Sequence, residues 1–187
     1  MKGFFLCIWS WGTGKTFLWN LMSAEIRSRG DIVLNVTSSG IASLLLPNGR
    51  TGHSRFKIPL NITENSVCNI KPSSSQAMLL LKAKLIIWDE APMVNRYCYK
   101  VLDKCLGDIM RFSLTYNKDL PFGEKVGGDF RQILPVISQG SRQDIVHSTV
   151  NSSYLWKFCQ MLKLTKNMRL SVGTTASDQD ETEQFGE

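Results

Sequence analysis

Histidine and paired cysteines are scarce in this 187-residue sequence, which argues against a structural zinc site. There are two histidines and five cysteines, and no two cysteines stand in a C-x-x-C arrangement. An odd number of scattered cysteines is typical of reduced thiols in a cytosolic or nuclear protein. The simplest role for these side chains is that of small buried hydrophobic groups.

A membrane-spanning run is also missing, since no apolar stretch approaches the roughly 20 residues needed to cross a bilayer. Lys2 followed by residues 3–9 has the charge and hydrophobicity of a short signal peptide. That run continues into residues 12–16 (GTGKT) without a small-residue cleavage site. A buried parallel strand leading into a loop explains the same residues better.

Basic residues are absent after Arg169, whereas five acidic residues follow it. Residues 1–170 therefore hold all 22 basic residues against 11 acidic ones, a net charge of +11. Such a charge suits a polyanionic partner, nucleic acid first of all, although an ordinary basic surface would give the same count. Residues 171–187 are expected to form an acidic, disordered tail.

Strands and helices are predicted to alternate over the first 111 residues. Strands are expected at 4–9, 32–36 and 85–88, and helices at 15–29, 40–46 and 95–111. Residues 59–76, rich in Ser, Pro and Asn, are expected to form a surface loop. This order predicts an α/β fold with a parallel sheet flanked by helices.

A phosphate-binding loop is indicated at the end of the first strand, where the predicted nucleotide-binding residues are Gly12, Thr13, Gly14, Lys15 and Thr16. A glycine-rich turn between a strand and a helix presents backbone N–H groups and the helix N-terminus to phosphates. In this arrangement Lys15 contacts the β- and γ-phosphates of ATP, and the Thr16 hydroxyl ligates Mg²⁺. The full pattern has glycine where this chain has Trp9, and Trp11 adds a second indole. Descent from a phosphate loop and retained ATP binding are therefore two separate questions.

Two acids, Asp89 and Glu90, come directly after the apolar residues 85–88. They are expected at the carboxyl edge of the sheet, where ligands bind in such folds. Asp89 is predicted to hold Mg²⁺ through water, and Glu90 to act as general base on the attacking water. A helix-capping acid pair is the structural alternative, and the phosphate loop upstream argues against it.

Two further polar segments complete the pattern. In residues 127–135 (GGDFRQILP), Gln132 is predicted to sense the γ-phosphate, while Asp129 and Arg131 are predicted to couple that site to a neighbouring strand end. In residues 164–169 (LTKNMR), Arg169 is predicted to touch a phosphate. Taken alone, each segment would be interpreted as a solvated, charged loop.

In this order, with residues 89–93 (DEAPM), these motifs resemble the Pif-type ATP-dependent DNA helicases of superfamily 1, above all those of plant rolling-circle (helitron) transposons. Further matches are 37–42 (TSSGIA), 49–59 (GRTGHSRFKIP) and 154–156 (YLW), and the similarity covers about residues 3–170. The resemblance implies that residues 1–170 form a RecA-like P-loop motor domain, an ATP hydrolase that uses Mg²⁺ and moves 5′ to 3′ along single-stranded DNA. It also implies roles in DNA replication, repair, recombination and telomere maintenance, in the nucleus or alternatively the mitochondrion.

Site residues follow from the same resemblance. Glu90, Gln132 and Arg169 would be the catalytic residues, the last two as γ-phosphate contacts. The DNA side would be formed by Thr37, Ser38, Gly40, His53 and Ser54, whose hydroxyls and backbone amides suit phosphate groups.

The chain departs from the family in three places. Its phosphate loop has tryptophans where the family has glycines, and residues 124–126 (EKV) offer too few apolar side chains for the central strand that the family has there, which indicates a short deletion. A second RecA-like domain is not expected after Arg169, so the chain is expected to be a truncated copy. The alternatives are a nucleotide- or DNA-binding module without turnover, and a small nucleotide kinase, a class that lacks the DEAPM and GGDFRQ runs.

Overall fold

One parallel sheet organises the described part of the chain. The computed structural model describes residues 4–9, 14–111, 113, 116–129 and 134–164, with 4–9 and 164 given by their backbone. Its strands are β1 (Phe4–Trp9), β2 (Ile32–Thr37), β3 (Arg50–Thr51), β4 (Ala83–Asp89), β5 (Val126–Asp129) and β6 (Cys159–Leu164). They lie in the order β3-β2-β4-β5-β1-β6, and every pairing is parallel.

Helices connect these strands and cover both faces of the sheet. They are α1 (Lys15–Ser28), α2 (Gly40–Ser43), α3 (Gly52–Phe56), α4 (Ser75–Lys82), α5 (Arg96–Met110) and α6 (Arg142–Ser148). Short 3-10 turns span Ala91–Met93, Pro121–Glu124, Val150–Ser152 and Tyr154–Phe158. The predicted α/β fold with a helix-flanked parallel sheet is confirmed.

Alternation along the central strands divides the core into two clusters. Val33 of β2 and Ile87 of β4 pack against Trp19 of α1. Their chain neighbours Leu34 and Ile86 belong to a larger cluster on the other face, which includes side chains of α4 and α5. Successive side chains of a strand point to opposite faces, so two strands buried on both sides supply both clusters.

Element bounds agree with prediction where the hydrophobic pattern is strong. The expected strands at 4–9, 32–36 and 85–88 are β1, β2 and β4, and the expected helix at 95–111 is α5. Gly30 follows α1 with a φ of +82°, which is the left-handed conformation typical of a helix-ending glycine. The helix expected at 40–46 is shorter and ends at Ser43, and the surface loop expected at 59–76 ends where α4 begins.

The prediction that a central strand is missing near Gly127 is wrong. β5 lies between β4 and β1, and all four of its residues are buried. It pairs Gly127 with Ile87 on one side and with Phe5 on the other. Backbone hydrogen bonds to two neighbours hold the strand in place, so it does not need large apolar side chains of its own. The strand begins at Val126 and continues through the two glycines to Asp129, whereas the resemblance to the family placed it in the residues ahead of Gly127.

Candidate functional site

The start of α1 places two polar residues at the carboxyl edge of the sheet. Gly14 precedes the helix with φ +80° and ψ +27°, a left-handed conformation that glycine adopts without a steric penalty. Its carbonyl oxygen accepts the first helical hydrogen bond, from the amide of Leu18 at 3.0 Å. Lys15 is therefore the first residue of the helix, and Thr16 beside it is exposed. The predicted residues Gly12 and Thr13 lie outside the described residues.

The Lys15 ammonium joins the ends of two strands. Its Nζ lies 2.8 Å from Oδ2 of Asp129, the last residue of β5, and 3.0 Å from Oδ1 of Asp89, the last residue of β4. The Asp129 side chain is 1% exposed, compared with 24% for Lys15. Three elements that are distant in sequence thus converge on one positive charge.

The electrostatic environment keeps this lysine charged. Burial alone would lower the pKa of Lys15, but the hydrogen bond to Asp129 and the negative charges of Asp89 and Asp129 outweigh burial and raise the pKa above its ordinary value of 10.5. The group is therefore a cation at physiological pH, which favours contact with a phosphate.

Asp89 also has the character of a metal ligand. Among the described residues, its Oδ1 is a buried atom that accepts no hydrogen bond of good geometry, although the Lys15 ammonium lies within ion-pair distance. No three His, Cys, Asp or Glu side chains of the described ranges are arranged to hold a metal ion by themselves. One carboxylate together with the hydroxyl of Thr16, the residue after Lys15 in α1, is a ligand set that fits Mg²⁺, which keeps several waters and shares its coordination with substrate phosphates.

Glu90 turns away from this cluster toward β2. Its φ of +55° is unusual for a residue other than glycine and marks the abrupt end of β4. Thr37, a fully buried residue at the end of β2, donates a hydrogen bond from its Oγ1 to Oε2 of Glu90 at 3.1 Å. The Ser38 hydroxyl donates to the Glu90 carbonyl oxygen at 2.7 Å. The side-chain carboxylate and the backbone carbonyl of Glu90, the residue predicted to be the general base, thus each accept a hydrogen bond from residues 37 and 38 at the end of β2.

Trp88 supports the same contact and was not singled out from the sequence. Its indole Nε1 donates to the Ser38 hydroxyl at 3.0 Å, so that this hydroxyl accepts from Trp88 while it donates to Glu90. The ring is fully buried between Phe56 and Tyr99, with ring centroids 5.5 and 5.0 Å away. The only available signal was an indole at the penultimate position of a buried strand, directly before two acids.

The residues predicted for the DNA side differ in how accessible they are. Thr37 is buried with its hydroxyl on Glu90, Ser38 is half-buried, and Gly40 at the start of α2 is exposed. Ser39 between them caps α2 by accepting a hydrogen bond from the Ala42 amide at 3.0 Å. In the segment 38–40, Gly40 is therefore exposed at the surface, while Ser38 is hydrogen-bonded to Glu90.

His53 and Ser54 lie next to this segment, because β3 precedes them and pairs with the end of β2. Ser54 is exposed, whereas the half-buried His53 has its Nε2 3.9 Å from the Cys98 thiol of α5. Burial lowers the pKa of His53 below its ordinary value of 6.5. Contact of these five residues with DNA stays a prediction, as do the roles of Gln132 and Arg169, which lie outside the described residues.

Comparisons with known proteins agree on one family. Residues 2–187 match the family model described as PIF1-like helicase. The crystal structure of Bacteroides Pif1 bound to ssDNA has 26% sequence identity and a TM-score of 0.68, over 90% of this chain and 39% of that chain. Pif1 helicase from Bacteroides in complex with ADP-AlF3 and ssDNA has 27% identity and a TM-score of 0.68, with the same coverage.

A more distant structure shares the fold. Pif1 helicase from Candida albicans has 22% identity and a TM-score of 0.68, over 90% of this chain and 37% of that chain. The chain thus spans about two fifths of the length of these solved structures. Among curated proteins none matches. No helix of the described segments is both long and apolar enough to cross a membrane.

Proposed function

This chain belongs to the PIF1-like helicase family, and we propose that its residues 1–170 form the first motor domain of an ATP-dependent DNA helicase. The observation that supports this most is the convergence of Lys15, Asp89 and Asp129 at the carboxyl edge of the sheet, directly after the left-handed Gly14. A similar protein, Pif1 helicase from Bacteroides, is described in complex with ADP-AlF3 and ssDNA.

The residues present fit a magnesium nucleotide. Lys15 and the N-terminal amides of α1 would hold the phosphates, while Thr16 and Asp89 would hold Mg²⁺. Bound Mg²⁺ would neutralise charge on the β- and γ-phosphates. Glu90 would accept a proton from the attacking water, with its side chain oriented by Thr37. Gln132 and Arg169 are proposed as γ-phosphate contacts on the resemblance alone.

Single-stranded DNA would lie along the exposed ends of segments 38–40 and 52–54, and the motor would move along it 5′ to 3′. Arg50, Arg55 and Lys57 bring positive charge to that side. The half-buried Arg55 donates to the Asn48 carbonyl at 3.3 Å. Its own carbonyl oxygen accepts from Gln76 at 2.6 Å, which connects α3 to α4. Such cations neutralise DNA phosphates without reading base sequence.

The cellular roles are proposed from family membership. They are DNA replication, repair of DNA damage, recombination and telomere maintenance, with the nucleus as location and the mitochondrion as the alternative. The closer likeness to helicases of plant rolling-circle transposons also stays a prediction.

Binding of a fluorescent ATP analogue in the presence and absence of Mg²⁺ tests the nucleotide site. The unmodified chain is expected to bind in a magnesium-dependent manner, and Lys15→Ala is expected to weaken binding by about tenfold or more, because a hydrogen bond to a charged group is lost. Lys100→Ala is the matched control, since Lys100 pairs with the exposed Glu64 elsewhere on the surface. No binding by the unmodified chain, and none gained when Trp9 and Trp11 are replaced by glycine, would refute the proposed site.

A nucleotide- or DNA-binding module without turnover is the second candidate, and the indoles of Trp9 and Trp11 around the phosphate loop favour it. Hydrolysis of ATP in the presence of single-stranded DNA distinguishes the two, because the module would bind nucleotide or DNA and release no phosphate. We expect no unwinding of a 5′-tailed duplex by this chain alone. Robust unwinding would contradict the expectation that a second motor domain is required.

A further inference from the structure

Asp129 lies closer to Lys15 than Asp89 does, although Asp89 is the acid predicted to bind the metal. Its Oδ2 accepts a hydrogen bond from Lys15 Nζ at 2.8 Å, whereas the contact to Asp89 is an ion pair at 3.0 Å. In the predicted chemistry Asp89 holds Mg²⁺, but Asp129 holds neither a metal nor the attacking water. The coupling role predicted for Asp129 from the sequence does not say what its buried carboxylate does to the central cation of the site.

The position of Asp129 is fixed more firmly than that of the lysine. It ends β5, a four-residue strand that pairs with β4 and β1, and its side chain is 1% exposed. Lys15 has four rotatable side-chain bonds and is 24% exposed. If the hydrogen bond between Lys15 and Asp129 breaks, we expect the lysine side chain to move and the aspartate to stay in place.

An ammonium group has three hydrogen-bond donors, and two carboxylates already attract this one. A phosphate that binds at the start of α1 must compete with Asp129 for the hydrogen bonds that Lys15 Nζ donates. The competition is between two anions for one cation, so a buried, hydrogen-bonded carboxylate lowers the affinity of the site for a phosphate.

We propose that Asp129 is a positioning residue that competes with the nucleotide phosphates for Lys15, and that it thereby sets the nucleotide affinity of the motor domain. The inference rests on the proposed nucleotide site. The Asp129 carboxylate would then differ in function from Asp89, whose proposed contact with Mg²⁺ would favour the bound nucleotide.

Direct titration with ADP, in buffer with EDTA and in buffer with Mg²⁺, tests this inference. Asp129→Asn keeps the shape of the side chain and removes its charge. It is expected to bind ADP about tenfold more tightly than the unmodified chain, since the phosphates no longer compete with a charged hydrogen-bond partner. Glu64→Gln removes the partner of another lysine, Lys100, away from the site, and is expected to change nothing. If Asp129→Asn does not fold, Asp129→Ser removes the same charge with a smaller polar group.

A double-mutant cycle separates an effect through Lys15 from general charge repulsion. In a Lys15→Met background, Asp129→Asn is expected to give no gain in affinity. A gain in that background, or unchanged or weaker ADP binding by Asp129→Asn alone, would overturn the inference while leaving the nucleotide site intact. A chain that binds no ADP in any form would instead refute the nucleotide site, and this inference would fail with it.

Discussion

Gly52→Ala is predicted to destabilise the protein because the added methyl group would overlap the Trp88 ring. An ideal Cβ at Gly52, the first residue of α3, would lie 2.5 Å from Cζ2 and 2.7 Å from Cη2 of Trp88. The ring cannot retreat easily, since it is fully buried between two aromatic rings and its Nε1 donates to Ser38. A contact this short therefore requires α3 or β4 to shift.

The expected cost is that of overpacking a core, about 1–3 kcal/mol. Alanine is a better helix former than glycine by up to about 1 kcal/mol, which offsets only part of that cost. For a protein of this size a net loss of about 2 kcal/mol lowers Tm by roughly 4–8 °C. Thermal unfolding followed by circular dichroism measures the shift.

Gly40→Ala is the matched control for this prediction. Gly40 is likewise the first residue of a short helix, α2, but a Cβ there would have no atom within 4 Å. This substitution is expected to leave Tm unchanged or to raise it slightly, because it gains helix propensity without a clash. If both substitutions shift Tm equally, the overlap with Trp88 is not the cause and the packing argument is refuted.

Three further predictions concern other hydrogen bonds and one titrating group. Thr37→Val should lower kcat for ATP hydrolysis by about tenfold to a hundredfold, with KM for ATP unchanged, because Glu90 loses the donor that orients it. Thr37→Ser should retain the rate, and equal losses in both variants would contradict this role. Ser141→Ala removes the reciprocal capping box with Asp144 at the start of α6, and should cost about 1 kcal/mol in urea unfolding, with an unchanged midpoint as the contrary result. Burial lowers the pKa of His53, so below its ordinary value of 6.5 the unfolded chain takes up a proton that the folded chain resists. Stability should be complete above that pH and fall as the pH drops toward the lowered pKa, and His53→Gln should reduce this dependence of Tm on pH.

The sequence predicted those parts of the fold whose local pattern is unambiguous. The apolar runs that became β2 and β4 are buried on both faces. The two acids that follow the apolar run of β4, its last residue Asp89 and then Glu90, lie at the carboxyl edge as expected. Helix α4 begins in what was expected to be loop, because the polar residues ahead of it include its cap: Ser74 accepts a hydrogen bond from the Ala77 amide. A cap and a loop share the same residue types, so composition alone does not separate them.

Pairing between distant segments accounts for most of what the sequence did not show. Val126 is the one residue of β5 with an apolar side chain. The position of β5 in the sheet depends on β1 and β4, which are far from it in sequence. The burial of Thr37 has the same origin. The register that pairs Thr37 with Asp89 brings the threonine hydroxyl to the neighbouring Glu90, and contact of Thr37 with DNA stays a prediction. Local hydrophobic periodicity carries no information on register between strands.

The two acids at the end of β4 contact different neighbours, and the backbone between them explains why. Asp89 belongs to β4 and its side chain contacts Lys15. Glu90 has a positive φ, and its side chain contacts the end of β2 instead. One acid therefore contacts Lys15, while the other contacts the segment predicted to bind DNA. A shift of Ser38 or Thr37 is expected to move Glu90 directly. Three hydrogen bonds form this connection: Trp88 donates to Ser38, Ser38 donates to the Glu90 carbonyl, and Thr37 donates separately to the Glu90 carboxylate. A change on the predicted DNA side is therefore expected to shift the residue predicted to be the general base without passing through the nucleotide.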